Sequence, residues 1–214
     1  VSPEDPYPFH TLQRIEKGRR IGNFYMLKYA GVDPQGRWIV YDKDGDKVLA
    51  DNATDEDRQY VGNGLPQFTG SMTHTFRYKN IDLSLFFQTA LGFDIFNIHD
   101  FYYGTKNFQG NVMDKAYSKN KLISQNPIVC DYFLEPGDYL KLSSVNLGYT
   151  LNVNKKYVDA IRIYATASNL FTITKFSGVD PSTYQLNGLN PGATNSRTYY
   201  PSTRQFMLGM QIDF

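Results

Sequence analysis

The sequence has 214 residues, with 22 Lys and Arg against 21 Asp and Glu and a formal charge of +1; this balance argues against a nucleic-acid partner, which calls for a concentrated basic surface. A single cysteine, Cys130, excludes an internal disulfide framework and any multi-thiolate metal site. No apolar run approaches the roughly 18 residues of a membrane-spanning helix, and the hydrophobicity sits instead in 17 Tyr, 15 Phe and a lone Trp.

In chain order, Val1-Ser2-Pro3-Glu4-Asp5-Pro6 lacks the charged, apolar and small-residue layout of a signal peptide. The chain is therefore expected either to remain inside the cell or to be a piece of something longer. Ile21 to Ala30, rich in Phe and Tyr, reads as a weak strand. Asp42-Lys43-Asp44-Gly45-Asp46 follows Trp38-Ile39-Val40-Tyr41 and precedes Val48-Leu49. Carboxylates at alternate positions suit a hard cation such as calcium. The full loop pattern fails, because Lys47 and Ala53 stand where Gly and Glu are wanted. A polar hairpin tip is the expected reading, with Asp42, Asp44 and Asp46 as weak Ca2+ candidates and no other cofactor.

Period-2 alternation then dominates. Phe68, Gly70, Met72, His74, Phe76 and Tyr78 oppose Thr69, Ser71, Thr73, Thr75 and Arg77; past a Lys79-Asn80 turn, Ile81, Leu83, Leu85 and Phe87 oppose Asp82, Ser84, Phe86 and Gln88. Val145, Leu147, Tyr149 and Leu151 stand against Ser144, Asn146, Gly148, Thr150 and Asn152. Ile161, Ile163, Ala165 and Ala167 oppose Arg162, Tyr164, Thr166 and Ser168, and Phe206, Leu208, Met210, Ile212 and Phe214 share a face in the last run. Short joins at Lys79-Asn80 and Asn154-Lys155-Lys156 alternate with long ones over about 31–67, 92–138 and 172–203. Runs of about 10 residues, with short turns at one rim and long loops at the other, fit the wall of an outer-membrane barrel. A soluble or surface β-sandwich that binds glycans would also alternate.

The same segments resemble the SusC/RagA family of TonB-linked outer-membrane transporters of Bacteroidetes. The resemblance rests on Asp131-Tyr132-Phe133-Leu134-Glu135-Pro136-Gly137-Asp138 running on to Leu151, and on Arg162-Ile163-Tyr164 followed by Asn169-Leu170-Phe171. It rests also on Ser177-Gly178-Val179-Asp180-Pro181 and on Tyr200-Pro201-Ser202-Thr203-Arg204 with Gly209 and Phe214. Upstream, Gly62-Asn63-Gly64-Leu65-Pro66-Gln67-Phe68 is similar to the family's lead-in to a strand, with Gly64 where Pro is usual. Together these matches run from about residue 18 to 214 in the family's order.

The resemblance implies an all-β chain supplying the last six or seven antiparallel strands of a barrel of about 22 strands, with the plug domain and signal peptide absent. It implies an importer of oligosaccharide or peptide in the outer membrane, working with a SusD-like surface lipoprotein and the TonB complex. Gly209, Ile212 and Phe214 have the spacing of a signal read by the barrel-assembly machinery, an edge strand offered for β-augmentation.

Tyr102, Tyr103, Asn107, Phe108, Tyr184 and Asn187 set aromatic faces beside amides in the long loops and are the candidate substrate contacts. No nucleophile motif such as Gly-x-Ser-x-Gly occurs, His99-Asp100 lacks a nucleophile nearby, and Asp131, Glu135 and Asp138 read as a loop before a strand, so no enzyme is expected. Cys130 reads as a lone loop thiol.

Overall fold

A computed structural model describes residues 12–155, 157–184, 188–193 and 200–214. It contains β1 (Asn23–Met26), β2 (Lys28–Val32), β3 (Trp38–Tyr41), β4 (Lys47–Leu49), β5 (Gln59–Asn63), β6 (Phe68–Tyr78), β7 (Ile81–Leu91), β8 (Asp94–Phe96), the helix α1 (Ile98–Tyr103), β9 (Leu134–Pro136), β10 (Tyr139–Lys155), β11 (Val158–Thr174) and β12 (Gln205–Asp213). Among the described residues no helix is long and apolar enough to cross a membrane. The chain divides into two compact units, a sheet unit built from Phe68–Leu91, Tyr139–Thr174 and Pro201–Phe214, and a loop unit made of the segments between them and before them.

The sheet unit is one antiparallel meander in the order β12-β11-β10-β7-β6. Its register follows from the alternation. Phe76 pairs with Leu83, Leu83 with Leu147, Leu147 with Ala165 and Ala165 with Leu208, so one apolar row crosses all five strands. The neighbouring row, Thr75, Ser84, Asn146 and Thr166, is polar on four strands and ends on Met207 of β12, and Thr166 donates to Asn146 Oδ1 at 2.7 Å. Phe76 is 56% exposed and Leu208 87%. In a sandwich a second sheet would cover that face; among the described residues of this unit there is one sheet.

Three features differ from the sequence reading. The described sheet has five strands rather than six or seven, because the Ile21–Ala30 run splits into β1 and β2, which pair within the loop unit. β10 and β11 have 17 residues each, longer than the runs of about 10 expected from the alternation and than the roughly 9–11 residues of a tilted membrane-crossing strand. The alternation in β10 also changes parity at Ser143. The ladder slips between Leu142 and Ser144 against both β7 and β11, so Leu140 and Leu142 rejoin the apolar side opposite Ile173 and Phe171. On β11 the irregularity is absorbed by Asn169, whose φ of 55° lies in the left-handed region that Asn tolerates. Its side chain donates to the Thr203 carbonyl at 3.1 Å.

The long joins are not open loops. They pack into a unit with its own core of Leu12, Phe24, Met26, Trp38, Phe96, Phe101, Cys130 and Phe133. The Trp38 ring meets Tyr29, Tyr132 and Phe133 at 5.4–5.9 Å between centroids, and its indole N–H donates to the Asn126 carbonyl at 2.9 Å. Each fully buried aromatic of this kind contributes about 1.5–3 kcal/mol of transfer free energy. Two small sheets, β2-β3-β4 and the pair β1-β5, carry inward residues to this core, and β8-β9 aims Phe96 and Leu134 at it.

Cys130 lies fully inside that core, and burial pushes its thiol up to about 12. At about pH 8 the thiolate is then scarce and unreachable. Iodoacetamide is expected to leave Cys130 unmodified in the folded protein and to alkylate it after denaturation, as read by mass spectrometry; rapid alkylation of the folded protein would contradict the packing described.

Candidate substrate-binding surface of the loop unit

The sequence places an N-cap before α1. The Asn97 side chain accepts from the Asp100 amide at 3.1 Å, and the helix ends at Gly104, whose N–H bonds the Asp100 carbonyl. The Asn97 amide also donates to Glu135 Oε1 at 3.0 Å and to Ser177 Oγ at 3.2 Å. The helix start is thereby tied to β9 and to the segment after β11.

Beneath the helix runs a charged knot. Asp100 is 1% exposed and accepts from Lys115 Nζ at 3.0 Å. Lys115 also donates to Ser177 Oγ at 2.7 Å and lies 3.8 Å from Glu135. Ser177 completes the ring, its hydroxyl donating to Glu135 Oε1 and its amide to Glu135 Oε2, each at 2.7 Å. A buried carboxylate is tolerable only when paired and hydrogen-bonded. Here the pairing holds four segments, distant in sequence, in one arrangement.

Above this knot opens a cleft of about 490 Å3, lined by His99, Tyr103, Asn111, Val112, Met113, Ser177, Gly178 and Val179. Its exposed walls are largely apolar. His99 Nδ1 lies 3.4 Å from the Tyr184 hydroxyl, and Tyr103 meets Phe108 edge to face at 4.9 Å. The size and lining suit an apolar group or a flat ring, with His99 and Asn111 as the polar tips.

The residues expected from sequence fall in different places. Tyr103 lines the cleft and Phe108 buttresses it. Tyr102 turns to the core, packed on Phe101 at 5.3 Å. Asn107 spends its amide on the Ser124 carbonyl at 2.7 Å. Tyr184 is fully buried, edge-on to Phe176 at 5.4 Å, and in this arrangement offers no surface to a ligand. Asn187 lies outside the described residues. Val112 and Met113 also line the cleft, with no sequence signal beyond an apolar pair inside a polar loop, and Val179 does so from the Ser177–Pro181 segment, which entered the sequence reading only through the family resemblance.

The Asp42–Asp46 segment is the tip of the β3-β4 hairpin. Asp42 Oδ1 accepts from the amides of Asp44 and Asp46, both at 2.9 Å, and so shapes the turn itself. Asp57, whose carboxyl the amides of Thr54 and Lys43 hold below the usual range, braces the same tip. Among the described residues no group of three or more His, Cys, Asp or Glu is arranged to hold a metal ion.

In the sheet unit, β12 is an edge strand with Ile212 on its apolar face and Phe214 85% exposed just beyond it. Gly209 has a packing reason of its own. A Cβ there would sit 2.4 Å from Cζ of Tyr164, whose ring lies across the glycine from β11.

No protein-family model matches the chain. It is 28% identical over 242 aligned positions to the TonB-dependent receptor P3 of Formosa agariphila, covering 98% of this chain and 24% of that protein. It is likewise 28% identical over 222 positions to the TonB-dependent receptor SusC of Bacteroides thetaiotaomicron, covering 96% of this chain and 19% of that protein. Among solved structures, the RagAB peptide transporter superposes with a TM-score of 0.73 at 25% identity, over 90% of this chain and 23% of that one. The RagAB peptide importer in its closed-closed state gives 0.71 at 27% identity. The chain thus spans about a quarter or less of the length of the proteins it matches.

The Lys115 knot makes a direct prediction. Lys115→Met leaves Asp100 buried without its cation, a loss of about 3–5 kcal/mol for a broken buried pair. Hydrogen exchange is expected to accelerate by orders of magnitude at the amides of 97–104 and 177–179; unchanged protection there would contradict the knot's role.

Proposed function

From a chain that is SusC/RagA-like and all-β, matched over nearly its whole length by TonB-dependent receptors, we propose that these residues form the C-terminal part of a transmembrane barrel wall and part of the extracellular binding surface of an outer-membrane nutrient importer. The observation that carries this reading is the two-faced sheet, apolar and exposed on one side and polar on the other. In water such a face is a liability; against lipid it is a requirement, because every backbone group must pair laterally while the outer side chains meet hydrocarbon.

In this reading the cleft at Tyr103 and its neighbours contacts cargo, an oligosaccharide or a peptide. A SusD-like lipoprotein closes over the loop unit from outside, and the TonB complex drives release through the part of the polypeptide beyond these residues. The reading assigns import, not catalysis. Gly209, Ile212 and Phe214 serve the barrel-assembly machinery as an edge strand for β-augmentation. The Asp42–Asp46 turn enters as a self-supported hairpin tip with no cation assigned to it.

Two measurements test the proposal. The full-length protein should fractionate with the outer membrane, and its deletion should abolish TonB-dependent growth on either peptides or oligosaccharides as sole nutrient; a soluble protein, or unchanged growth on both, would overturn it. Within the wall, Leu147→Arg puts a charge in the middle of the apolar face, at a cost of about 2–4 kcal/mol. It is expected to lower the yield of heat-modifiable folded protein severalfold, while Asn146→Arg on the opposite face leaves that yield near wild type.

A further inference from the structure

The cleft above the Lys115 knot has a chemistry narrower than the two cargo classes proposed for it. His99, Tyr103, Val112, Met113 and Val179, all half-buried, set two rings, two branched aliphatic chains and a thioether around a volume of about 490 Å3. Among the described residues that line it there is no Asp, Glu, Lys or Arg. Ser177, also in the lining, has a saturated hydroxyl. It donates to Glu135 Oε1 at 2.7 Å and accepts from Lys115 Nζ at 2.7 Å and Asn97 Nδ2 at 3.2 Å, which engages its one proton and both lone pairs. His99 turns Nδ1 to the Tyr184 hydroxyl at 3.4 Å, which leaves its Nε2 and the amide of the exposed Asn111 as the polar groups offered to a ligand. The segment carrying Asn111, Val112 and Met113 is pinned to α1 by the Met113 amide, which donates to the Tyr103 carbonyl at 2.8 Å.

A sugar ring carries hydroxyls around its whole edge, each both donor and acceptor. Seated here, most of them would lie against Val112, Met113 and Val179 without a partner, and an unmatched buried polar group weakens binding. An apolar side chain loses no hydrogen bond on entry, and the Tyr103 ring and Met113 sulfur make favourable contacts with another ring. The Asn111 carboxamide presents an acceptor and two donors side by side, the complement of a peptide group. We infer that the cleft receives an uncharged apolar side chain of a peptide, of Phe or Leu size, with Asn111 pairing the adjoining backbone. The inference rests on the import reading and narrows its cargo to one class. Because Met113 is unbranched and adaptable, Phe, Leu and Met side chains are accepted alike, whereas an acidic side chain finds no counter-charge in the lining and is excluded.

Photo-crosslinking of the full-length protein in outer-membrane preparations tests this, with a heptapeptide of Gly and Ser that carries one p-benzoylphenylalanine at its centre. After irradiation, peptide mass spectrometry is expected to find the label on residues 111–113 or 177–179. An excess of the same peptide with Phe, Leu or Met at the centre should suppress the labelling. Versions with Asp or Ser at the centre should compete at least about tenfold less well, and neutral hexasaccharides of the malto and cello series not at all. Asn111→Ala should lower the yield severalfold at the same segments. Suppression by the hexasaccharides, equal competition by the Asp or Ser peptide, an unchanged yield in Asn111→Ala, labelling confined to other segments, or no labelling would overturn the inference. The readout is binding rather than transport, so such a result leaves the import reading standing, while a protein found outside the outer membrane would overturn that reading instead.

Discussion

The structure depends on one constraint, that an antiparallel sheet closes its backbone hydrogen bonds sideways and commits alternate side chains to opposite faces. Once Phe76, Leu83, Leu147, Ala165 and Leu208 are in register, a one-residue slip in any strand would move its apolar set to the polar side. The single-residue irregularity at Ser143 is tolerated because it is matched on both sides of β10 and because Asn169 supplies a left-handed backbone opposite it. Two glycines of the sheet lie on its polar face and make room there for larger neighbours. Gly148 makes room for the Asp82–Arg162 pair and Gly209 for the Tyr164 ring, so the polar face is built from interactions that reach across strands.

The loop unit solves a different problem. Its strands have three to five residues, too few to bury a face alone. An aromatic core centred on Trp38 and Phe133 and the Lys115 knot supply what the short ladders lack. Asp100, Lys115, Glu135 and Ser177 come from four separated stretches, so their pairing acts on relative placement as much as on stability. A cleft resting on such a base is preorganised, which lowers the ordering cost of binding.

How far the sequence revealed this follows from the range of each signal. The sheet strands were legible because period-2 alternation persists over about ten residues in each, and the Lys79-Asn80 and 154–156 turns bounded them. β1 and β2 were blurred into one run because Leu27 carries the chain straight from one small sheet to the next. The loop core was invisible because its members are adjacent only in space. Tyr184 and Tyr102 looked like ligand platforms beside Gln185 and Tyr103, yet nothing local distinguishes an aromatic that stacks on cargo from one that packs on Phe176 or Phe101. Val112 and Met113 were overlooked for the converse reason, being ordinary apolar residues in polar surroundings.

The central claim is that hydrocarbon covers the apolar face. Nitroxide labels attached one at a time to cysteines at positions 205 to 212 of the full-length protein in lipid vesicles, with C130S as background, measure it through collision rates with oxygen and with a water-soluble nickel chelate. The account predicts oxygen accessibility that peaks at 206, 208, 210 and 212 and nickel accessibility low at those positions, a two-residue oscillation. Uniformly low values for both reagents at 208 and 210, the signature of a protein-filled interior, would contradict it.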